Sequence, residues 1–165
     1  MSPGRLEAFP GNNKSFIDSN ILIYHLLNDP VYGKNCKDFI GRIEGGDIEG
    51  YISPIIVSET LFSFIKAVII KKYRIRPGEV VTFLKTKREV IYDVDIERPS
   101  ELFEIFSVLS ISKSEVIGCY DAVKSYAMLT NDALHLSTMN NNRIENIATN
   151  DSDFERVEGI VVWKP

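Results

Sequence analysis

The sequence predicts an α/β fold in which helices cover both faces of a central, mainly parallel sheet. Short apolar segments, such as Ser15 to Ile17 and Tyr51 to Ser53, alternate with longer segments whose apolar residues recur at helical spacing. Strands that are separated by helices indicate a parallel sheet buried on both faces. We therefore expect a three-layer α/β/α sandwich that forms one domain over residues 15–165.

Local signals place the elements along the chain. Residues 1–14 contain Gly, Pro and Asn without periodicity, so we expect a flexible extension or residues left from cloning. Gly45-Gly46 ends one helix and Pro54 begins another. The predicted elements are, in order, a strand over 15–17, helices over 20–27 and 33–44, a strand over 51–53, helices over 54–72 and 77–89, a strand over 90–94, helices over 99–109, 115–128 and 131–141, and strands over 144–149 and 159–163.

Composition bounds the class of protein. The chain has 165 residues, of which 44% are apolar and 25% are charged, so it can bury an ordinary core. No stretch has the length of a membrane span, and no signal-peptide pattern is present, so we expect a cytoplasmic protein with no membrane partner. Cys36 and Cys119 have no metal or redox spacing, and we expect them to be reduced and at least half-buried.

Acidic residues stand where strands end or helices begin. They are Asp18, Glu59, Asp132 and the pair Asp151 and Asp153. In open parallel sheets, sites form at the carboxyl ends of the strands, so these side chains could converge on one edge. Carboxylates beside apolar strands are unfavourable unless their charge is compensated, and one divalent cation compensates several of them. The pattern therefore predicts a metal-dependent enzyme.

Basic residues cluster after Glu59, although the net charge of the chain is −4. The cluster comprises Lys66, Lys71, Lys72, Arg74, Arg76, Lys85, Lys87 and Arg88. A solvated helix end explains such a cluster, because cations are favoured near a helix C-terminus. A patch that contacts phosphates is the other interpretation.

The motifs together resemble the PIN-domain ribonucleases, and most closely the toxins of VapBC-type toxin–antitoxin pairs. The resemblance covers roughly Ser15 to Trp163. It rests on Asp18-Ser19-Asn20 after an apolar strand, Glu59 early in a long helix, Asp132-Ala133-Leu134 opening a helix, Thr149-Asn150-Asp151-Ser152-Asp153-Phe154, and the Phe-x-x-Val-x-Gly segment at 154–159. Such a resemblance implies a metal-dependent ribonuclease.

The resemblance implies a role for each matching residue. The catalytic and metal-binding acids would be Asp18, Glu59, Asp132 and Asp151, with Asp153 as an accessory ligand, while Asn20 would orient Asp18 and Thr149 would support the acidic turn. Asp121-Ala122-Val123 mimics the motif at Asp132. We prefer Asp132, because the 19 residues from it to Asp151 suit one helix and one strand.

The predicted chemistry is hydrolysis of RNA with Mg²⁺ or Mn²⁺, both of which prefer hard oxygen ligands. Such ions activate water, neutralise the phosphate and assist the leaving oxygen. The resemblance implies products with a 5′-phosphate. We expect His25 and His135 to be structural, although His135 lies one turn from Asp132 and could contact substrate.

Three functions stay open at this point: the toxin of a toxin–antitoxin pair, a stand-alone RNA-processing nuclease, and a PIN-like module that binds RNA or protein without cutting. A toxin would have an antitoxin partner that covers the acidic groove. Phe64, Val68 and Ile69 could form a homodimer interface or an ordinary core face.

Overall fold

A single sheet of parallel strands organises the computed structural model, which describes residues 2–165. The strands are β1 (Gly4–Arg5), β2 (Asn13–Ile17), β3 (Ile48–Ile52), β4 (Ser107–Val108), β5 (Asn146–Ala148) and β6 (Val161–Lys164). Their order across the sheet is β1-β6-β5-β2-β3-β4, and every pair of neighbours is parallel. The predicted α/β class with a parallel central sheet is confirmed.

The helices follow the predicted alternation with the strands. They are α1 (Ser19–Leu26), α2 (Gly33–Glu44), α3 (Pro54–Tyr73), α4 (Val80–Thr86), α5 (Glu97–Phe103), α6 (Lys113–Tyr126) and α7 (Thr130–Asn141). The long helix α3 begins with Pro54 at its first position, and the Ser53 hydroxyl accepts the Ile56 N–H at 3.4 Å. Helix α6 begins with a capping box formed by Ser112 and Glu115. These caps fix where each helix leaves the sheet.

The order of the strands creates a switch point between β2 and β5. From β2 the chain continues to β3 on one side, whereas β5 and β6 lie on the other side. Phe16 is in register with Ile147, and Ile17 with Ala148, so Asp18 and Thr149 both follow directly at the carboxyl end. A crevice forms at such a point in open parallel sheets. The topology therefore places two predicted site residues side by side.

The N-terminal segment differs from the expected flexible extension. Strand β1 pairs with β6, and β2 already begins at Asn13. The side chains of Leu6 and Phe9 are each only 2% exposed. The Phe9 ring packs edge-on against Phe39, at 5.4 Å between centroids, and against Trp163 at 5.0 Å. The segment lacks periodicity because only two of the side chains among residues 2–14 are buried, and the pairing of β1 with β6 also attaches it to the sheet.

The region between α3 and α6 also differs from the prediction. The strand expected over 90–94 is part of a 3₁₀ helix at Arg88–Asp93, whose Val90 and the adjoining Val94 are buried. The helix expected over 99–109 ends at Phe103, and β4 follows and pairs with β3 at the edge of the sheet. Apolar residues four apart suit one turn of helix as well as a short strand, so the pattern alone could not separate the two.

The core fills both faces of the sheet and includes several residues with two possible interpretations. Phe64 and Ile69 of α3 are buried, so the ordinary core face is the correct interpretation for these two residues. Cys36 and Cys119 are free and buried, as expected. In the described part of the chain, no helix is both long enough and apolar enough to pass through a membrane.

Candidate metal centre

A polar cavity of about 380 Å³ opens at the carboxyl edge of the sheet, next to the switch point. It is lined by Asp18, Ser19, Asn20, Glu59, Phe62, Ser63, Lys66, Asp132 and Asp151. A larger cavity of about 500 Å³ lies beside residues 155–161, and none of the predicted site residues lines it. The structure thus brings four of the predicted carboxylates, from four separate places in the sequence, to one cavity.

Asp18 lies at the end of β2 and directly precedes α1. Its carboxylate is 8% exposed and accepts three hydrogen bonds: at Oδ2 from Asn20 Nδ2 (2.5 Å) and Thr149 Oγ1 (2.5 Å), and at Oδ1 from Ser19 Oγ (3.3 Å). The side chain does not cap the helix that it precedes. The Asp18 carboxylate is therefore oriented by hydrogen bonds from neighbouring side chains, and it lines the cavity.

Asn20, expected to orient Asp18, and Thr149, expected to support the acidic turn, both donate hydrogen bonds to the Asp18 carboxylate. The Thr149 hydroxyl donates to Asp18 and accepts from Asn20 Nδ2 at 3.1 Å and from the Asp151 N–H at 2.9 Å. One donor and two acceptors are all that a hydroxyl has, so Thr149 is fully satisfied. The Asn20 carbonyl accepts the Asn150 N–H at 3.1 Å. The two residues join the end of β2 to the acidic turn after β5.

Glu59 projects from α3 and is held by two residues of α7. Asn131 Nδ2 donates to its Oε1 at 2.6 Å, and His135 Nε2 lies 3.7 Å from its Oε2. His135 is buried and packs against Phe16, with 5.5 Å between ring centroids. His135, one turn after Asp132, therefore contacts Glu59 of α3. The spacing of residues within one helix could not predict this partner.

Asp132, Asp151 and Asp153 form the tightest carboxylate group among the described residues. Each offers one oxygen, and these oxygens lie within 4.8 Å of one another. The Asp153 N–H donates to Asp151 Oδ1 at 2.8 Å, which fixes the turn after β5. Arg156 Nη1 lies 3.2 Å from Asp153 Oδ1 and partly balances this carboxylate. Asp132 and Asp151 face the same cavity as Asp18 and Glu59.

The electrostatics of the group show uncompensated negative charge. Burial, followed by repulsion from the Asp151 carboxylate, raises the pKa of Asp132 to about 6. Burial also raises the pKa of Asp18, although the hydrogen bond from Thr149 opposes this shift. The pKa of Glu59 is lowered, chiefly by His135, although burial opposes this shift. A cation in the cavity would favour the charged form of all these carboxylates.

The donors present fit a hard divalent cation. They are carboxylate oxygens from separate elements, without cysteine, which is the ligand chemistry that Mg²⁺ and Mn²⁺ prefer. Asp132, Asp151 and Asp18 line the cavity and would hold such an ion, and Asp153, whose carboxylate is grouped with those of Asp132 and Asp151, would assist from the turn after β5. Asp121, the alternative to Asp132, is exposed on α6 and lines a different cavity, beside Ser137 and Asn140.

Four lining residues were not predicted as site residues: Ser19, which directly follows Asp18, and three residues of α3. Phe62, Ser63 and Lys66 share the face of α3 that carries Glu59. The spacing of three, four and seven residues from Glu59 was a usable signal, because positions at these spacings lie on one side of a helix. This signal was missed because the neighbouring residues are apolar, and the sequence pattern therefore predicts Phe62 to be a core residue.

The parallel sheet and the acidic cavity at its carboxyl edge define an α/β protein with a carboxylate-lined site. The PIN domain family model matches residues 15–160, and the chain belongs to this family. It is 37% identical over 147 residues to Ribonuclease VapC2 of Methanocaldococcus jannaschii, covering 88% of this chain and 90% of that protein. The resemblance inferred from the motifs is confirmed.

Solved structures of toxin–antitoxin proteins share the fold. One is a toxin–antitoxin complex from Klebsiella pneumoniae, with a TM-score of 0.57 and 20% identity over 89% of this chain and 95% of that one. Another is VapBC2 from Rickettsia felis bound to a DNA fragment from its promoter, with a TM-score of 0.57 and 12% identity over 92% of this chain and 98% of that one. At these identities, the likeness concerns the fold.

Proposed function

We propose that this chain is a metal-dependent ribonuclease and the toxin of a toxin–antitoxin pair. The observation that carries the proposal is the convergence of Asp18, Glu59, Asp132 and Asp151 on one cavity at the switch point of a parallel sheet. The similarity to a protein named Ribonuclease VapC2 along most of both chains supports the reaction class. The toxin–antitoxin complexes with the same fold support an antitoxin partner.

Mg²⁺ or Mn²⁺ is the cofactor that suits this ligand set. Asp132, Asp151 and Asp18 would hold it, and Asp153 would assist from the turn after β5. When bound, such an ion supplies Lewis-acid chemistry: it lowers the pKa of water and neutralises charge on a phosphodiester.

The residues of the chain have separate roles around that ion. Thr149 and Asn20 fix the orientation of the Asp18 carboxylate, so the ligand does not have to be ordered when the ion or the RNA binds. Asn131 and His135 favour the ionised form of Glu59, which also lines the cavity. Glu59 is thereby an ionised carboxylate that can accept a hydrogen bond from an attacking water and orient it.

The substrate class we propose is RNA, with cleavage of a phosphodiester bond that leaves a 5′-phosphate. The open cavity of about 380 Å³ is large enough for a phosphate group and part of its sugar. A homodimer is compatible with the exposed apolar residues of α6, namely Val116, Ile117 and Tyr120.

Cleavage of a mixed RNA pool by the purified protein tests the proposal. The reaction should proceed with Mg²⁺ or Mn²⁺ and stop in EDTA, and Asp18→Asn should abolish it while the fold is retained. Asp121→Asn is the matched control, because it removes one exposed carboxylate outside the cavity. Cleavage that survives both EDTA and Asp18→Asn would overturn the proposal. Co-purification with the product of an adjacent small gene would identify the antitoxin.

A further inference from the structure

Helix α3 places an aromatic ring and a cation on the wall of the acidic cavity. Glu59, Phe62, Ser63 and Lys66 all line it. Lys66 lies seven positions after Glu59 on the helix, which corresponds to about 10 Å along the axis. One face of α3 thus brings both a carboxylate and an ammonium group to the cavity.

Lys66 differs from the other basic residues of its cluster. Lys72 pairs with Asp93 at 3.2 Å, and Lys71, Arg74 and Arg76 are exposed. Lys66 is half-buried, and its Nζ lies 4.7 Å from the centre of the Phe62 ring. Within residues 2–165, no carboxylate oxygen lies within 4.0 Å of this ammonium group. Its charge is therefore available to an anionic ligand.

Phe62 is an exposed aromatic side chain that lines a polar cavity. It is 45% exposed, whereas Phe64, two residues on, is 4% exposed and belongs to the core. Exposed apolar surface is unfavourable in water, and a nucleobase can cover it by stacking. A cation beside an aromatic ring is also a suitable place for a nucleotide, since the ring meets the base and the ammonium meets the phosphate.

We infer that Phe62 and Lys66 form the substrate subsite of the cavity: Phe62 stacks on a base, and Lys66 binds a phosphate that flanks the cleaved one. This inference rests on the proposed ribonuclease function. The flanking phosphate needs such a partner, because the carboxylates Asp18, Glu59, Asp132 and Asp151 repel every phosphate that the metal does not neutralise. Stacking on Phe62 requires an unpaired base, so the subsite selects single-stranded RNA.

Equilibrium binding of RNA in the Asp18→Asn background tests the subsite without cleavage. The probe is a fluorescein-labelled, mixed-sequence single-stranded RNA, titrated in Mg²⁺ buffer at several salt concentrations. Lys66→Gln should reduce the slope of log K against log[salt] by about 0.7, the value for one phosphate contact on a single strand. Lys124→Gln, an exposed lysine of α6, is the control matched in charge and should leave the slope unchanged.

Substitutions of Phe62 test the base contact. Phe62→Ala should weaken binding of the single strand by about 5-fold to 150-fold, the loss expected for one stacked base. Phe62→Tyr should retain binding, whereas Phe62→Leu, which keeps apolar bulk without a π face, should not. A duplex of the same sequence should bind weakly and respond little to Phe62→Ala. Equal losses for the single strand and the duplex would overturn the stacking role.

Cleavage assays with Asp18 intact distinguish failure of the subsite from failure of the proposed ribonuclease function. If the wild type cuts RNA but Lys66→Gln and Phe62→Ala match Lys124→Gln in binding and in KM, the subsite is refuted and the nuclease stands. If the wild type neither cuts nor binds RNA, the proposed function fails and the subsite fails with it. A rise in KM for both variants, with kcat within a few-fold of the wild type, is the result expected.

Discussion

The Thr149 hydroxyl donates a hydrogen bond of 2.5 Å to the Asp18 carboxylate, across the carboxyl ends of the neighbouring strands β5 and β2. The two residues are 131 positions apart in the chain. The same hydroxyl accepts the N–H of Asp151, so one side chain sets the relative position of two acids in the cavity. Thr149 is thus the connection through which the sheet determines the geometry of the site.

Thr149→Val should reduce RNA cleavage by about 10-fold to 100-fold, the usual effect of removing a partner that orients a metal ligand. The part-buried Asp151 N–H and Asn20 amide would lose an acceptor, so the free energy of unfolding should fall by about 1–3 kcal/mol. Steady-state kinetics and urea unfolding measure the two effects. Thr149→Ser restores the hydroxyl and should restore most of the activity, and failure of this rescue would contradict the role given to the hydroxyl.

Asp132 should make the metal-free protein less stable as the pH rises. Because its pKa is raised from 3.8 to about 6 in the folded state, the folded protein binds this proton more tightly than the unfolded chain does. The stability from this group is therefore present below pH 3.8 and is lost as the pH rises through about 6. With allowance for partial solvent screening, the loss is about 1–2 kcal/mol.

The difference between the wild type and Asp132→Asn isolates this contribution from the other acids. In EDTA, the variant should gain stability relative to the wild type between pH 4 and pH 7, because the amide has no charge to lose. Saturating Mn²⁺ should reverse the order, since a ligand bound at 100 times its Kd stabilises by about 2.7 kcal/mol. Thermal unfolding at a series of pH values gives both results, and a pH-independent difference would count against the raised pKa.

His135 should keep the pKa of Glu59 low. It is the main cause of the lowered pKa, with Asn131 as a further cause. His135→Leu should therefore raise the pKa of Glu59, and Asn131→Ala should raise it by a smaller amount in the same direction. Carbon-13 NMR titration of the glutamate carboxyls in metal-free protein measures the shifts. A Glu59 titration unchanged in His135→Leu would show that the 3.7 Å contact has no electrostatic effect.

The N-terminal segment should contribute measurably to stability. Phe9 is 2% exposed and packs between Phe39 and Trp163, so Phe9→Ala should lower the free energy of unfolding by about 3–5 kcal/mol. The exposed neighbour Ala8 is a control position, and Ala8→Ser should change stability by less than about 0.5 kcal/mol. Urea denaturation monitored by the fluorescence of Trp163 measures both. Equal stability of Phe9→Ala and the wild type would instead support the expectation from sequence that this segment is a flexible extension.

The sequence predicted the parallel-sheet class and the acids at strand and helix ends because both depend on local patterns, whereas the strand expected over 90–94 was wrong and β4 was not predicted. Asp18 and Asp151 follow apolar strands, and Asp132 opens a helix, so topology alone brought them to one edge. The partnership of His135 with Glu59 was out of reach, because it depends on how α7 packs beside α3. The pairing of β1 with β6 was also hidden, since a strand of two residues has no period to detect.

Phe62 and Lys66 illustrate a different limit. Their spacing from Glu59 was visible, but an aromatic residue between Leu61 and Phe64 has the same sequence signature whether it is buried or exposed. Only the fold distinguishes Phe64, at 4% exposure, from Phe62, at 45%. The same holds for the basic cluster, in which one lysine lines the cavity while its neighbours are solvated.

The most direct measurement compares Mn²⁺ binding with RNA cleavage over the same range of metal concentration. Mn²⁺ binding is measured by electron paramagnetic resonance, and cleavage is followed with one oligonucleotide that the protein cuts. The two curves should share a midpoint, and Asp132→Asn should shift both to higher concentration or abolish both. Cleavage that continues at full rate after removal of metal by EDTA would contradict the claim that these carboxylates act through a divalent cation.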